Sequence, residues 1–277
     1  MPELPEVETI VRDLEPRLTG RILRAPRLFK PDVLRRVSPR RLLATLARNR
    51  IEQVTRRAKH VVLRFKSGHR MVVQPGMTGN LLVYDRPLTA PERRYVVFLS
   101  KLDGKATFVY RDVRRLGRVW LLDEAGWRSY TARIGPEPLA PEFDAVAFAA
   151  RFRGTRQAVK KALMDQQRLA GVGNIYANEA LFRAGIDPSR PANRLGPVAL
   201  ANLHREVRAV LGEAIAAQGT TLRDYRTGTG RRGGFQFALH VYGRGGQPCP
   251  RCGTILQTTH LIDGRATTFC WRCQRGP

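Results

Sequence analysis

No run of 18 apolar residues occurs in this 277-residue chain, no apolar signal-peptide segment follows Met1, and no lipidation motif is present. These absences give no support to a membrane or secreted protein and make a cytoplasmic location the expectation. Acidic residues are also scarce: 23 Asp and Glu face 49 Lys and Arg, leaving a net charge of +26 and a pI near 11.3. A surface so short of carboxylates attracts a polyanion, and DNA or RNA leads that class. An anionic membrane surface is the weaker choice, because no basic amphipathic helix stands out. A GC-rich genome inflates Arg at the expense of Lys, which discounts part of the charge. Cysteine is missing from the first 248 residues, and no internal repeat of fixed period is present.

The 43% hydrophobic content suffices for two or three domains with real cores. From about Ile22 to Leu122 the runs VVLRF, RMVVQ, NLLVY, YVVFL, ATFVY and RVWLL alternate with turns such as KSGH and LDGK. This pattern predicts an antiparallel sandwich or barrel. Ahead of it, Val7, Ile10, Val11, Leu14 and Leu18 recur at helical spacing, with Pro5 suited to a first turn. Pro136, Pro138 and Pro141 mark residues 134–143 as a linker between domains. Beyond them DAVAFAARF, RQAVKKALMDQ, NIYANEALFRAG and PVALANLHREVRAVLGEAIAAQG predict a helical domain, followed by the Gly- and Arg-rich TGTGRRGGFQ.

All four cysteines lie in the last 29 residues, as Cys249 and Cys252 two residues apart and Cys270 and Cys273 two apart, with 17 residues between the pairs. That spacing predicts one tetrahedral zinc held by four thiolates. Such a site has no open position for water, so the metal is structural. A pair of disulfides is the alternative, disfavoured in a cytoplasmic chain. His260 falls between the pairs and reads as an ordinary turn residue. The segment TILQTTHLIDGRATTFC predicts two short strands joined at Asp263 and Gly264, with Arg265 near the tip, where it suits a phosphate or a groove.

Two shorter stretches suggest chemistry. GVGN, from Gly171 to Asn174, precedes a predicted helix and can present backbone N–H groups to a phosphate. Asn174 is then either an N-cap or a phosphate ligand; a joint between helices needs glycines for packing as well. The opening MPELPE offers a secondary amine at Pro2 once Met1 is removed, which can attack an aldehyde-like sugar carbon and form an iminium ion. An α-amine of pKa about 7.7–8.0 is roughly a tenth unprotonated at pH 7, far more than an unperturbed lysine. Proline's basicity and the flanking Glu3 and Glu6 raise that pKa, while the N-terminal end of the following helix lowers it. The bland reading of the same residues is a common processed start with acids favouring a helix N-terminus.

Over essentially its whole length the chain resembles the bacterial formamidopyrimidine-DNA glycosylases, to which endonuclease VIII is related. The residues that carry this are MPELPEVET at the start, RRAKH (56–60), PGMTG (75–79), RDVRRLG (111–117), IGPEPL (134–139), GVGNIYANEALF (171–182) and VYGRGGQPCPRCGT before the zinc finger. The resemblance implies a multidomain α and β protein. Its parts are a catalytic β-sandwich with an N-terminal helix (1–133), the linker (134–143), a helix-two-turns-helix DNA-binding domain with a lesion-covering loop (144–234) and a β-hairpin zinc finger (235–277). It also implies a monomer acting on double-stranded DNA with oxidised bases. The activity is excision of 8-oxoguanine and formamidopyrimidines, then strand cleavage by β,δ-elimination at the abasic site.

The resemblance also assigns roles. Pro2 is the nucleophile, Glu3 the acid and base, and Glu6 a supporting carboxylate. Lys59 contacts the phosphate or the damaged nucleotide, and Arg265 joins this catalytic set through the phosphates around the lesion, which Lys160 and Asn174 also bind. Met77, Arg114 and Leu116 fill the hole left by the flipped nucleotide, and the TGTGRRGGFQ loop covers the extruded base. The chain departs from the pattern at Leu116, where many relatives carry Phe, at Arg223, where Lys is frequent near the damaged base, and at Gln74, where His is frequent. Fine lesion preference is the property these departures affect. Two other readings stand beside this one: an endonuclease VIII-like enzyme for oxidised pyrimidines, against which the ELPEVET start argues, and a catalytically silent zinc-finger DNA-binding protein.

Overall fold

A computed structural model describes residues 2–275. The chain forms two compact units: Met1–Ala132 with Ala217–Gly234, and Arg133–Ala216 with Phe235–Pro277. In the first unit, helix α1 (Leu4–Leu18) begins after Glu3 and buries Val7, Ile10, Val11, Leu14 and Leu18, as their spacing requires. Each such side chain removed from water contributes about 1.5–3 kcal/mol.

The sheets follow in two antiparallel layers. Strands β1 (Leu23–Leu28), β6 (Val96–Leu102), β7 (Thr107–Asp112) and β5 (Gly79–Tyr84) form one, in that spatial order. Strands β2 (Ile51–Arg57), β3 (His60–Phe65), β4 (Arg70–Gln74) and β8 (Arg118–Leu122) form the other. The sandwich core joins α1 to Val61, Leu63, Phe65, Met71 and Val73 of one sheet and Leu81, Phe98, Phe108 and Tyr110 of the other. All six runs singled out in the sequence become strands; β1 and β2 are additional. Both have shifted register, between Arg24 and Arg27 and between Ile51 and Gln53. Bulges of this kind break the two-residue alternation by which strands are recognised. Helix α2 (Pro39–Leu46) packs on β1, the single turn α3 (Ala90–Arg93) precedes β6, and α4 (Glu124–Thr131) follows β8.

The second unit contains α5 (Ala145–Ala150), α6 (Val159–Met164), α7 (Asn174–Ala184) and α8 (Pro197–Ala216). α7 is buried from Ile175 to Phe182, packs on α8 and stops at Gly185, whose φ of +70° lies in the left-handed region favoured by glycine. The proline-rich segment 134–143 is held to this unit. Gly135 N–H donates to Gln166 O at 2.8 Å, Ala170 N–H to Pro136 O at 2.9 Å, and Arg208 to Pro138 O at 2.7 Å. Prolines that cannot donate leave their carbonyls to be satisfied from outside the segment, so composition suggestive of a free linker here gives a fixed strap.

Residues 217–234, grouped with the helices in the sequence reading, pack instead with the first unit. A Cβ on Gly228 would lie 2.7 Å from Asp13 Cβ, and Thr229 N–H donates to Asp13 Oδ2 at 3.1 Å. The finger's strands β9 (Gln257–Thr259) and β10 (Thr267–Phe269) pair antiparallel, with a connection at 260–266 longer than the tight turn expected at Asp263 and Gly264.

Candidate active site and metal centre

At the head of α1, Pro2 is buried, Glu3 is 4% exposed and Glu6 is 1% exposed. Acids rarely sit so deep unless hydrogen-bonded. The Glu6 carboxylate accepts Glu3 N–H on Oε2 and Thr220 N–H on Oε1, both at 2.8 Å. It therefore fixes the backbone of the proposed acid–base residue and the base of the Gly-rich segment together. The Tyr225 hydroxyl adds bonds to Glu6 O at 3.3 Å and Gln218 O at 3.1 Å. Burial and the nearby Glu6 carboxylate push that phenol well above its ordinary pKa, so it stays a donor. Gly219 has φ +80°, and a Cβ there would come within 3.0 Å of Glu6 Oε1. This contact gives a glycine in the segment a steric reason.

Lys59 occupies the turn between β2 and β3 and is 6% exposed. The preceding Ala58 has φ +52°, an uncommon value for a residue with a Cβ. The turn is braced on both sides. Arg56 donates to Ala58 O at 3.0 Å and to Glu8 of α1 at 2.9 Å, while His60 joins Arg57 O through Nδ1 and the Tyr130 hydroxyl through Nε2, each at 3.0 Å.

Met77, Arg114 and Leu116 lie on two loops of the same unit, and all three are exposed. Arg114 Nη1 sits 3.4 Å from Met77 Sδ. The loops press directly on each other: a Cβ on Gly76 would lie 2.7 Å from Gly117 N, and one on Gly117 would lie 1.9 Å from the Tyr110 hydroxyl oxygen. Asp112, 1% exposed, is their common anchor. It accepts the Thr78 hydroxyl, Gly117 N–H at 2.8 Å and the Tyr110 hydroxyl at 3.3 Å. The sequence reading missed Asp112; its signal was an acid inside the otherwise basic RDVRRLG. Arg223 is exposed on the Gly-rich segment, and Gln74 ends β4 half-buried.

In the second unit Asn174 is the first residue of α7 and Gly173 is the N-cap, which removes the capping alternative for Asn174. Its amide donates to Ala266 O at 3.1 Å. Lys160 is wholly buried and ion-paired with Asp263 at 3.2 Å. Arg265 is exposed in the connection of the finger. Glu179, also wholly buried, accepts N–H groups of His240, Val241 and Tyr242 at 2.8–2.9 Å. Burial raises its pKa, yet the bonds from His240 and these backbone groups outweigh that and hold it below the ordinary carboxylate value.

The four cysteine Sγ atoms lie within 4.8 Å of one another, with Cys249–Cys273 at 3.9 Å and Cys252–Cys270 at 3.5 Å. Zinc–sulfur bonds of about 2.3 Å in a tetrahedron require sulfur atoms about 3.8 Å apart, whereas a disulfide needs about 2.05 Å. The cluster fits one zinc held by four thiolates and excludes disulfides. His260 is exposed and lies outside it.

Three family descriptions match the chain: formamidopyrimidine-DNA glycosylase N-terminal domain over 1–119, formamidopyrimidine-DNA glycosylase H2TH domain over 134–226, and zinc finger found in FPG and IleRS over 246–276. A formamidopyrimidine-DNA glycosylase of Thermomicrobium roseum is 46% identical over 290 residues, covering 99% of both chains. One from Chloroflexus aggregans is 43% identical, covering 99% of this chain and 98% of its own. Among solved structures, the Lactococcus lactis protein in complex with an abasic site containing DNA has a TM-score of 0.90 at 31% identity, covering 99% of this chain and all of its own. The Thermus thermophilus MutM (FPG) protein has a TM-score of 0.86 at 38% identity, with full coverage of both chains.

Proposed function

Because the chain belongs to the formamidopyrimidine-DNA glycosylase family, we propose that it excises oxidised purines from double-stranded DNA and then cleaves the strand at the abasic site. The observation that carries this reading is the burial of Pro2, Glu3 and Lys59 within one unit. An amine, an acid and a cation are thus held away from bulk water, where their interactions strengthen.

Removal of Met1 makes the Pro2 nitrogen a secondary amine. Its lone pair attacks C1′ of the damaged nucleotide, the glycosidic bond breaks, and the base leaves with the bonding pair and takes up the proton that the Pro2 nitrogen sheds. Glu3 gives a proton to the deoxyribose ring oxygen as the ring opens, leaving an iminium between Pro2 and C1′. The iminium acidifies C2′–H; removal of that proton by the Glu3 carboxylate expels the 3′-phosphate, and a second elimination expels the 5′-phosphate. Water then hydrolyses the iminium and regenerates the amine. Lys59 neutralises phosphate charge beside the reacting sugar. Glu6, through the Glu3 N–H, orients the acid–base group. Arg265 and Asn174 belong to the phosphate grip, to which the resemblance also assigned Lys160, and Met77, Arg114 and Leu116 to the space vacated by the flipped nucleotide.

One zinc on Cys249, Cys252, Cys270 and Cys273 supplies the fold of the finger and no step of this chemistry. Among the described residues no helix is long and apolar enough to cross a membrane. From its action on DNA we place the protein in the cytoplasm, on the nucleoid, as a monomer. Borohydride reduction is the test. A covalent protein–DNA adduct is expected with a duplex carrying 8-oxoguanine opposite cytosine, more than with thymine glycol, and Pro2→Gly lowers it at least tenfold. Tight binding with no adduct means a silent binder instead.

A further inference from the structure

Lys160 resembles a phosphate-binding residue by position, but its surroundings give it another task. Its ammonium is 0% exposed, lies 3.2 and 3.4 Å from the two Asp263 oxygens, and donates to the Thr267 hydroxyl at 2.7 Å. Asp263 Oδ1 accepts Arg265 N–H at 3.1 Å. On the other side, Asn174 donates to Ala266 O at 3.1 Å, and Asn178 Oδ1 accepts Thr268 N–H at 2.8 Å. The connection that bears Arg265 is therefore strapped from α6 through a buried ion pair and from α7 through Asn174, while Asn178 of α7 holds the start of β10 that follows it. For Lys160 to reach a phosphate, that pair must break, and breaking a buried pair leaves an uncompensated charge.

We propose that Lys160 and Asp263 are positioning residues: their pair sets the backbone at Arg265, which alone of the three meets the DNA phosphate. This rests on the reading of the protein as a DNA-binding repair enzyme. A direct phosphate contact by Lys160 predicts the opposite response to loss of Asp263, because freeing the ammonium adds a cation to the DNA face.

The experiment measures equilibrium binding of the zinc-loaded protein to a duplex carrying a reduced abasic site, across a salt series. Asp263→Ala adds one positive charge, yet an affinity loss of about tenfold is expected. The slope of log K against log salt should become shallower by about 0.9, one phosphate contact. Arg265→Ala should show the same change in slope, and Asp263→Ala should add less than twofold to it. Unchanged or tighter binding by Asp263→Ala overturns the proposal, as does an independent additive loss. Zinc content and melting temperature identify a folding failure, in which case Asp263→Asn is measured in its place; zinc loss there too overturns positioning in favour of a purely structural pair. Borohydride trapping by the unaltered protein separates the two readings. An adduct without the slope pattern sinks the positioning role alone, while the pattern without an adduct sinks the enzyme alone.

Discussion

Glu6 shows what one side chain does at the head of α1. Its carboxylate takes one N–H from Glu3 and one from Thr220, so two segments distant in sequence share a single acceptor group. Glu6→Ala removes two charge-assisted bonds, each worth about 1.5–3 kcal/mol. The expected outcome is a loss of borohydride trapping by on the order of tenfold or more with zinc content unchanged, measured in single-turnover reactions. Pro2, Glu3 and Lys59 could be proposed from the sequence because each lies in a short motif, MPELPE or RRAKH, and the structure buries all three. Asp112, Thr220 and Asp263 could not, since each acts through backbone groups or buried partners that chain separation hides. Lys160 differs: the resemblance assigned it to DNA phosphate, and its burial and its Asp263 partner are what the positioning role proposed above rests on.

Elements were legible where apolar periodicity was intact. α1 and the six quoted strand runs fall where their patterns place them; β6 is bulged too, but it carries the apolar run VVFL, whereas bulged β1 (LRAPRL) and β2 (IEQVTRR) have no such run. The segments 134–143 and 217–234 misled for a different reason: composition reports the conformations open to a chain, while tertiary hydrogen bonds decide which surface it is fixed to. The paired loops at 75–79 and 112–117 have little slack. Gly117→Ala puts a methyl group where the Tyr110 hydroxyl and Gln74 O already sit. It should cost about 1–3 kcal/mol in urea denaturation and weaken binding to a duplex with a flipped lesion. Between α7 and the approach to the finger, Glu179 gives a pH signature. Its folded pKa is lowered, so its stabilisation is fully present above the ordinary carboxylate pKa of about 4.3 and disappears as pH falls through the folded value. Thermal melts from pH 6 to pH 3 should show a steeper decline for the unaltered chain than for Glu179→Gln, whose stability is lower by about 1–3 kcal/mol at pH 6.

For the whole molecule, the excess of 49 basic over 23 acidic residues supplies attraction to DNA of any sequence, and lesion selectivity must come from side chains near the flipped nucleotide. Removing zinc with a chelator should unfold the finger and lower affinity for a lesion duplex by at least tenfold while most helical circular dichroism persists, because α5 to α8 lie outside the metal module. The confinement of every thiol in the chain to that one cluster has a further use. A thiol reagent has nowhere else to react, so the appearance of modified cysteine is a clock for opening of the finger. Run with and without DNA, that clock reports how firmly the bound duplex holds the module shut.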